Sequence, residues 1–355
     1  MALTSSGQIK FSEIRDEFGY ATLGSYRLSE SYGGFDFALD NDTCGPSANA
    51  SIPTSGTIKF SDFYNARLNT IIDYHSDPSE DEFRKNAKVK FDASTDGSGI
   101  DIVGSLIGKP DSTAGKKVVI VVNKTIGSAA GGAGFGNLAC ALHTGDWDNA
   151  TTLQVKVGSS GRILGGAGDG GTGGAAGNNA GGDGQVGTSG IGINYTNTAV
   201  TITNNGKIQS GYGGGGGGAG RGENRSSGKK SSTWATSTGG GGGAGAGYPE
   251  GAGGGSPTGA SSGTNGSDGN SSTPFASGTG GAGGTSAGSG GAGAVVDSSS
   301  TAGSNGSDSA GASGGSGGAN GYAIVTASGS GPTVSGTSVV GRVVTGTTPV
   351  PGGSA

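Results

Sequence analysis

Short stretches of apolar, largely β-branched residues mark the middle of the chain as β-structure. Residues 100–103, 117–122 and 153–157 are rich in β-branched side chains and have the length of ordinary strands. The longest apolar run, residues 118–122, is also the length of a strand. It is far shorter than the ~20 residues that a membrane-spanning helix needs. The pattern therefore predicts a β-rich region and no membrane span.

The first 95 residues contain a duplicated segment. Residues 7–14, Gly-Gln-Ile-Lys-Phe-Ser-Glu-Ile, return 49 positions later as residues 56–63, Gly-Thr-Ile-Lys-Phe-Ser-Asp-Phe. Each copy predicts a short strand that runs into a helical turn, with Ser12 or Ser61 as the N-cap and an acidic residue at the positive end of the helix dipole. A capping-box pattern at 79–82 precedes a strand-like segment at 89–91. We therefore predict small α+β modules over this region.

A second duplication lies in the β-rich region. Residues 153–163 align with residues 198–208, 45 positions further along the chain. Both copies predict a strand, a turn marked by Gly-Ser-Ser-Gly or Asn-Asn-Gly, a second short strand and then a glycine run. This part of the sequence specifies a repeating unit.

The glycine runs have a period of three. Three is the repeat of the polyproline II helix, which has no internal hydrogen bonds and offers every backbone donor and acceptor to its neighbours. Collagen would need an unbroken Gly-X-Y register and at least ~15% proline, whereas this chain has 10 prolines and repeated slips of register. The phased glycines are Gly165, Gly168, Gly171, Gly174 and Gly177; Gly181, Gly184, Gly187 and Gly190; Gly239, Gly242 and Gly245; and Gly311, Gly314 and Gly317.

The phasing favours a bundle of side-by-side polyglycine II helices within one chain. A disordered linker is the competing interpretation, because the composition is poor in apolar residues. A terminal strand-like segment at 321–325 favours order. In a bundle that folds back on itself, the segments between runs become end turns, and the longest of these are predicted at 137–152, 221–238, 256–276 and 295–309.

Composition supports a fold held by its backbone. Glycine supplies 84 of 355 residues, and only 30% of the chain is apolar, so a conventional core of matching size is not expected. The net charge of −5 arises entirely before residue 118, where 12 basic and 17 acidic residues lie. A neutral glycine-rich part without clustered cations argues against nucleic-acid binding, which needs Lys and Arg to displace counterions from phosphate.

The two cysteines do not define a site. Cys44 and Cys140 lie in different regions without Cys-x-x-Cys spacing, so free thiols are favoured over a disulfide. The N-terminus has neither a basic segment nor an apolar stretch, and a signal peptide is not expected.

Several segments resemble catalytic or ligand-binding motifs, but their spacing or flanking sequence does not fit those functions. The GxGxxG match at 168–173 is followed by no helix-forming sequence, so no helix dipole is available for a pyrophosphate. Residues 104–110 have the wrong spacing for a P-loop, and no tandem calcium-binding nonapeptides are present. His143, Asp146 and Asp148 could ligate a metal, but a loop packed around Trp147 is the simpler interpretation. We expect no cofactor, no metal site and no enzymatic activity.

The duplicated motif and the glycine runs together resemble phage tail proteins. The Ser-Gly-x-Ile-Lys-Phe-Ser motif resembles N-terminal modules of tail proteins from phages of cyanobacteria and other bacteria, and the glycine-rich half is similar to the adhesins at the tips of long tail fibres. In that adhesin family an N-terminal part attaches to the fibre, while packed polyglycine II helices carry distal loops that bind the host surface. The N-terminus of this chain departs from the family's usual attachment domain.

The resemblance directs attention to the loops. A basic cluster lies beside a tryptophan within residues 221–238. This combination suits an anionic polysaccharide, because arginine donates bidentate hydrogen bonds to carboxylate or phosphate and the indole stacks on sugar rings. A solvated turn is the alternative. The candidate receptor-binding residues are Arg221, Arg225, Lys229, Lys230 and Trp234, with Tyr248 and Phe275 as weaker candidates; the candidate virion-attachment residues are Ile9, Phe11, Ile58 and Phe60.

The predicted fold is mainly β and polyglycine II. We divide it into N-terminal α+β virion-attachment modules, a β-rich region with the first glycine run, a polyglycine II domain with tip loops and a C-terminal tail. The corresponding residues are 1–95, 96–210, 211–330 and 331–355.

The leading functional hypothesis is a tail fibre or tip adhesin that recognises host glycan. Its partners would be other tail fibre or baseplate proteins and a cell-surface polysaccharide or outer-membrane receptor. The chain would be made in the host cytoplasm and incorporated into the virion tail, either as a homotrimer or as a single chain on a trimeric shaft. The alternative is a purely structural tail or baseplate component. An ice-binding bundle and a glycan hydrolase rank below both.

Overall fold

The structure is a computed structural model, and it describes most of the chain beyond residue 117 together with parts of the N-terminal region. The described residues are 6–17, 52–53, 55–64, 69–74, 100–101, 117–122, 125–128, 136–144, 152–193, 200–222, 236–259, 261–270, 276–294, 302–309, 312–327, 331–337, 339–348 and 350–351.

Within these residues the regular structure is almost entirely β, which confirms the mainly β prediction. There is one α-helix, α1 (Phe11–Glu17), and every strand pair is parallel. The strands are β1 Asn69–Tyr74, β2 Ile100–Asp101, β3 Lys117–Val122, β4 Thr125–Ile126, β5 Ala139–His143, β6 Thr152–Val157, β7 Arg162–Leu164, β8 Ser189–Ile193, β9 Thr201–Asn204, β10 Lys207–Gln209, β11 Ile324–Thr326, β12 Thr333–Gly336, β13 Val343–Thr345 and β14 Val350–Pro351.

The strands form the coils of a solenoid. One sheet has the order β1-β3-β6-β9-β12, a second β10-β7-β4, and a third contains β13-β11-β8-β5, with β2 and β14 both on the edge of β5. The chain visits the three sheets in the same order in successive coils: β3-β4-β5, then β6-β7-β8, then β9-β10-β11. A last coil contributes β12, a bridge from Val340 to Gln209, and β13.

Each sheet contributes a column of apolar side chains to one shared core. Equivalent inward positions stack between coils because parallel strands in register place like residues above one another. The columns are Ile120-Val155-Ile202-Val334, Ile126-Ile163-Ile208 and Leu142-Ile191-Ile324-Val343. Only Val334 and Val343 are exposed, because the last coil has no described coil above it.

The duplication at 153–163 and 198–208 corresponds to the coils β6-β7-β8 and β9-β10-β11. β7 and β10 pair at the predicted offset of 45, with Arg162 opposite Lys207. β6 and β9 instead pair with Val155 opposite Ile202, two residues beyond the sequence alignment. A shift of two keeps the same side chains on the inner face, so the core tolerates it.

The glycine-rich segments are insertions at one corner of the solenoid, between the second and third sheets. The first insertion lies between β7 and β8, and the second between β10 and β11. They form ten extended runs without helix or strand assignment: run 1, 165–176; run 2, 179–188; run 3, 210–222; run 4, 236–247; run 5, 250–259; run 6, 261–270; run 7, 276–284; run 8, 287–294; run 9, 302–309; and run 10, 312–323.

Backbone hydrogen bonds join the runs at every third residue. Gly168, Gly171 and Gly174 of run 1, for example, donate to Tyr212, Gly215 and Gly218 of run 3. Run 3 exchanges such bonds with runs 1, 2, 4, 8, 9 and 10, and run 4 exchanges them with runs 1, 3, 5, 6, 7 and 8. Two central runs with six neighbours each define a hexagonal arrangement. The disordered alternative is thereby excluded for the described runs.

The central position of run 3 explains why it is the richest in glycine, with nine glycines among its thirteen residues. A Cβ on Gly215 would lie 2.2 Å from the carbonyl oxygen of Gly291, and one on Gly242 would lie 2.0 Å from that of Gly215. No side chain fits between backbones this close. Peripheral runs carry polar residues on their outer side, such as Thr172 of run 1 and Asp268 of run 6.

Side-chain oxygens accept hydrogen bonds from backbone N–H groups that have no carbonyl partner. Asp169 Oδ1 accepts from Ala252 N–H at 2.7 Å, and Asp183 Oδ1 accepts from Ser316 N–H at 2.7 Å. Asn320 Oδ1 does the same for Gly213 N–H of central run 3 at 2.9 Å. These scattered polar residues therefore hold neighbouring runs together.

Asn320→Ala is expected to lower the free energy of unfolding by about 1–3 kcal/mol, because the buried Gly213 N–H loses its acceptor. Asn305→Ala is the matched control, since Asn305 Oδ1 accepts from Gly317 N–H at the same 2.9 Å in an exposed position. Its cost should stay below about 0.5 kcal/mol. Urea unfolding of both variants measures the difference, and equal costs would contradict this account of the buried contact.

The two copies of the N-terminal motif have the same local structure. Gly7 and Gly56 have φ of 91° and 87°, and the backbone N–H groups of Lys10 and Lys59 donate to Glu13 and Asp62 at 2.9 and 2.7 Å. The copies lead into α1 and into a 3-10 turn, Phe60–Phe63.

The local structure corrects two N-terminal predictions. Ser12 and Ser61 are not N-caps, because each helical turn begins one residue earlier and the lysine occupies the cap position. Residues 8–10 and 57–59 belong to no strand. The predicted features at 79–91 lie outside the described residues.

Three of the four predicted end turns contain regular parts of the fold. Residues 137–152 include β5, 256–276 include run 6, and 295–309 include run 9. Low glycine content misled these assignments, because peripheral runs need fewer glycines than central ones. The predicted tail, 331–355, includes β12, β13 and β14 of the sheets.

Candidate binding surface at the distal end

The ten runs alternate in direction, so their turns collect at two ends of the bundle. Runs 1 and 3 leave the solenoid, and runs 5 and 9 are parallel to them in their hydrogen-bond pattern, whereas the even runs return. We call the end where odd runs finish the distal end and the end next to the sheets the proximal end. The chain between runs 3 and 4, residues 223–235, is the longest connection at the distal end, and we call it the distal loop.

The root of the distal loop is fixed in the middle of the bundle. Arg221 N–H donates to Ser237 O at 2.9 Å, and Ser237 N–H donates back at 3.4 Å, which closes an antiparallel bridge between runs 3 and 4. Since both runs have six neighbours, the loop leaves from the centre of the distal face.

Neighbouring distal turns brace this root. Asn178, with φ of 62°, accepts from Gly222 N–H through Oδ1. Ser309 Oγ donates to Gly220 O at 2.7 Å, and Ser261 O accepts from Thr238 N–H at 3.1 Å. The turns after runs 1, 5 and 9 thus hold both ends of the distal loop. Sequence reasoning missed these bracing residues, although Asn-Asn after a glycine run is a recognisable signal for a left-handed turn.

The distal loop and its root contain all the positive charge of the second insertion. Within residues 210–323 the only Lys and Arg residues are Arg221, Arg225, Lys229 and Lys230, and the only tryptophan is Trp234. Between Arg221 and Trp234 the only acidic residue is Glu223, and the other acidic residues of 210–323 are Glu250, Asp268, Asp297 and Asp308. The sequence between Arg221 and Trp234 is therefore cationic and aromatic, whereas the rest of the second insertion contains no Lys or Arg.

The structure places only some of the predicted receptor-binding residues. Arg221 is half-buried at the root, while Arg225, Lys229, Lys230 and Trp234 lie outside the described residues. Tyr248 lies at the proximal end, where its carbonyl accepts from Ser128 N–H at 3.3 Å and its ring is half-buried against Leu164, Tyr212, Ala246 and Ala294.

Tyr248 therefore does not share a surface with the distal loop. Its contacts join the bundle to the solenoid, since Gly127 beside it follows β4. Phe275 lies outside the described residues. The flanking residues Asn270 and Ala276 are hydrogen-bonded to each other at the proximal end, also away from the distal loop.

The predicted virion-attachment residues divide into a covered pair and an exposed pair. Ile9 is buried and Ile58 is half-buried, whereas Phe11 and Phe60 have 39% and 45% of their surface exposed. The hydroxyl of Tyr64 donates to Gly7 O at 2.5 Å, which joins the two copies of the motif.

Other candidate chemistry finds little support in the described part of the chain. No group of three His, Cys, Asp or Glu residues could hold a metal there, and no helix among those residues has the length and hydropathy to cross a membrane. His143 is buried on β5, and Asp146 and Asp148 lie outside the described residues. Cys140 is a buried free thiol that donates to Leu138 O at 3.2 Å; burial raises its pKa, which disfavours a reactive thiolate. Cys44 also lies outside the described residues.

Comparison with known proteins gives two findings. The model of a family described as phage tail fibre adhesin Gp38 matches residues 88–350. Among solved structures, the chain matches the gp37–gp38 adhesin tip complex of the long tail fiber of bacteriophage S16 with 22% identity, covering 84% of this chain and 91% of that chain, at a TM-score of 0.35. No curated protein matches.

Proposed function

This chain belongs to the family of phage tail fibre adhesins described as Gp38, and we propose that it binds host cell-surface glycan through the distal loop. The family places it in the virion tail and suggests a structural rather than an enzymatic protein. The observation that carries the proposal is the concentration of every Lys and Arg and the single tryptophan of residues 210–323 between Arg221 and Trp234.

The chemistry of the distal loop suits an anionic polysaccharide. Arginine and lysine donate charge-assisted hydrogen bonds to carboxylate or phosphate, and an indole ring stacks on the apolar face of a sugar. A root fixed by the Arg221–Ser237 bridge reduces the ordering cost of binding, because the loop ends do not move. Several copies on one virion would add avidity to weak single contacts.

The glycine runs provide the stem of this adhesin. We infer that they are polyglycine II helices, because the hydrogen bonds between neighbouring runs recur at every third residue. A helix with three residues per turn requires this spacing. At ~3.1 Å per residue, a twelve-residue run would place the distal loop more than ~30 Å from the solenoid.

The remaining parts of the proposal concern assembly. The N-terminal modules, with Ile9, Phe11, Ile58 and Phe60, would attach the chain to another tail fibre protein after synthesis in the host cytoplasm. A homotrimer or a single chain on a trimeric shaft would serve equally well.

A loop variant tests receptor binding. We expect the change Arg225→Ser, Lys229→Ser, Lys230→Ser and Trp234→Ser to lower binding of labelled full-length protein to host cells at least about tenfold, the equivalent of about 1.4 kcal/mol. The midpoint of thermal unfolding should stay unchanged, because the Arg221–Ser237 root is kept.

Arg162→Ser is the matched control, since it removes an exposed positive charge from β7 at the solenoid. It should bind cells like the unchanged protein. Equal binding by the loop variant would contradict the loop as the site. Absence of cell binding by the unchanged protein, with retention on purified tails, would favour the purely structural alternative.

A further inference from the structure

The duplicated N-terminal motif contains an exposed tripeptide that is identical in its two copies. Lys10-Phe11-Ser12 and Lys59-Phe60-Ser61 are identical in sequence, and all six residues are exposed. The exposed position before them has diverged, from Gln8 in one copy to Thr57 in the other.

The other shared residues have clear structural roles. Gly7 and Gly56 have positive φ, which favours glycine. Glu13 and Asp62 accept the backbone N–H of the preceding lysines, and Ile14 and Phe63 are completely buried. These roles account for the glycines, the acidic residues and the buried apolar residues; the other identical exposed residues are the tripeptide and the preceding Ser6 and Ser55.

Exposed phenylalanine at the same position of both copies indicates a binding role. Each phenylalanine leaves 39% or 45% of its surface in water, and burying that apolar area against a partner is favourable. Lysine is retained beside it although the N-terminal region is acidic overall. The complementary site is therefore an apolar pocket with a carboxylate at its rim.

The two copies act as a pair because they are joined. Tyr64 of the second copy donates its hydroxyl to Gly7 O of the first, across 57 positions of sequence. The N-terminal region therefore presents two identical tripeptides at a fixed separation. A symmetric homo-oligomer presents two identical binding sites on neighbouring subunits, which suits such a pair.

We propose that the two Lys-Phe-Ser tripeptides occupy equivalent pockets on two subunits of one homo-oligomeric tail protein, so that a single chain bridges both. This inference rests on the proposed attachment of the N-terminal modules to the virion. Bivalent attachment gains affinity from the high effective concentration of the second tripeptide once the first has bound.

The test uses purified tails assembled without this chain and labelled full-length protein. Phe11→Ala and Phe60→Ala should each weaken binding by about 100-fold, because avidity is lost, and the double variant should not bind. At saturation, each single variant should bind in about twice as many copies per tail as the unchanged chain, since each copy then occupies one pocket instead of two.

Gln8→Ala is the matched control, an exposed position in the same segment, and should leave affinity and copy number unchanged. Unchanged copy number for both single variants would overturn bivalent attachment, as would full binding by either of them. Failure of the unchanged chain to bind tails would overturn the attachment itself, which separates the two proposals. Equal unfolding midpoints confirm that the variants are folded.

Discussion

Gly216→Ala is expected to destabilise the glycine bundle by about 3 kcal/mol or more, whereas Gly255→Ala should be tolerated. A Cβ at Gly216 would lie 1.9 Å from the carbonyl oxygen of Gly315, and neither backbone can move without breaking the hydrogen bonds of central run 3. Gly255, in peripheral run 5, has nothing within 4 Å of the same position. The same chemical change therefore has opposite consequences at the two sites.

Denaturant unfolding measures both variants against the unchanged protein. Gly255→Ala should be neutral or stabilising by up to about 1 kcal/mol, because alanine restricts the unfolded chain without a clash. If the midpoint of Gly216→Ala equalled that of Gly255→Ala, the close packing of run 3 would be wrong.

Removal of both glycine insertions should leave the solenoid folded. The last coil shows how short the corner can be, since only Gly341 and Arg342 lie between Val340, which bridges Gln209, and β13. A chain in which Gly-Arg replaces residues 165–190 and 210–323 keeps the two core columns that begin at Ile120 and Ile126. The shortened chain also contains Leu164→Ser, because the bundle that covers the Leu164 side chain has been removed.

Circular dichroism and thermal unfolding test this shortened chain. We expect a β spectrum and cooperative unfolding, because the apolar core cluster is formed by the sheets rather than by the glycine runs. A further Ile202→Asp change provides the control, since a buried charge in the column should abolish folding. A random-coil spectrum of the shortened chain itself would show that the solenoid depends on the bundle.

The strands with strong β-branched patterns were predictable, whereas their arrangement was not. Residues 117–122 contain a run of β-branched apolar residues after Lys117, and they form β3 with the predicted bounds. Ser189–Ile193 is Ser-Gly-Ile-Gly-Ile, without a clear pattern, and becomes β8 only because β5 and β11 pair with it. Strands that are so far apart in sequence leave no local sequence pattern that identifies their pairing.

The period of the glycines gave the hydrogen-bonded runs, but not their neighbours. The direction of each run depends on the number of chain reversals before it, which the glycine period does not reveal. Peripheral run 6 was predicted to be part of an end turn. Tyr248 was grouped with Trp234 as a receptor-binding candidate, although Tyr248 follows run 4 at the proximal end and the distal loop precedes that run. The basic cluster in the distal loop was evident from the sequence; its central position required the six-neighbour packing of runs 3 and 4.

The position of the second glycine insertion, within the coil β9-β10-β11, also bears on how the protein folds. Ile324 of β11 pairs with Ile191 of β8, and between β10 and β11 the chain completes eight glycine runs. Contacts this remote in sequence slow folding, because the loop entropy is lost before the pairing is gained. The coil β9-β10-β11 can close only when run 10 has returned to the sheets. We therefore expect β11, β12 and β13 to join last, with the far end of the solenoid unfinished until the glycine bundle is complete.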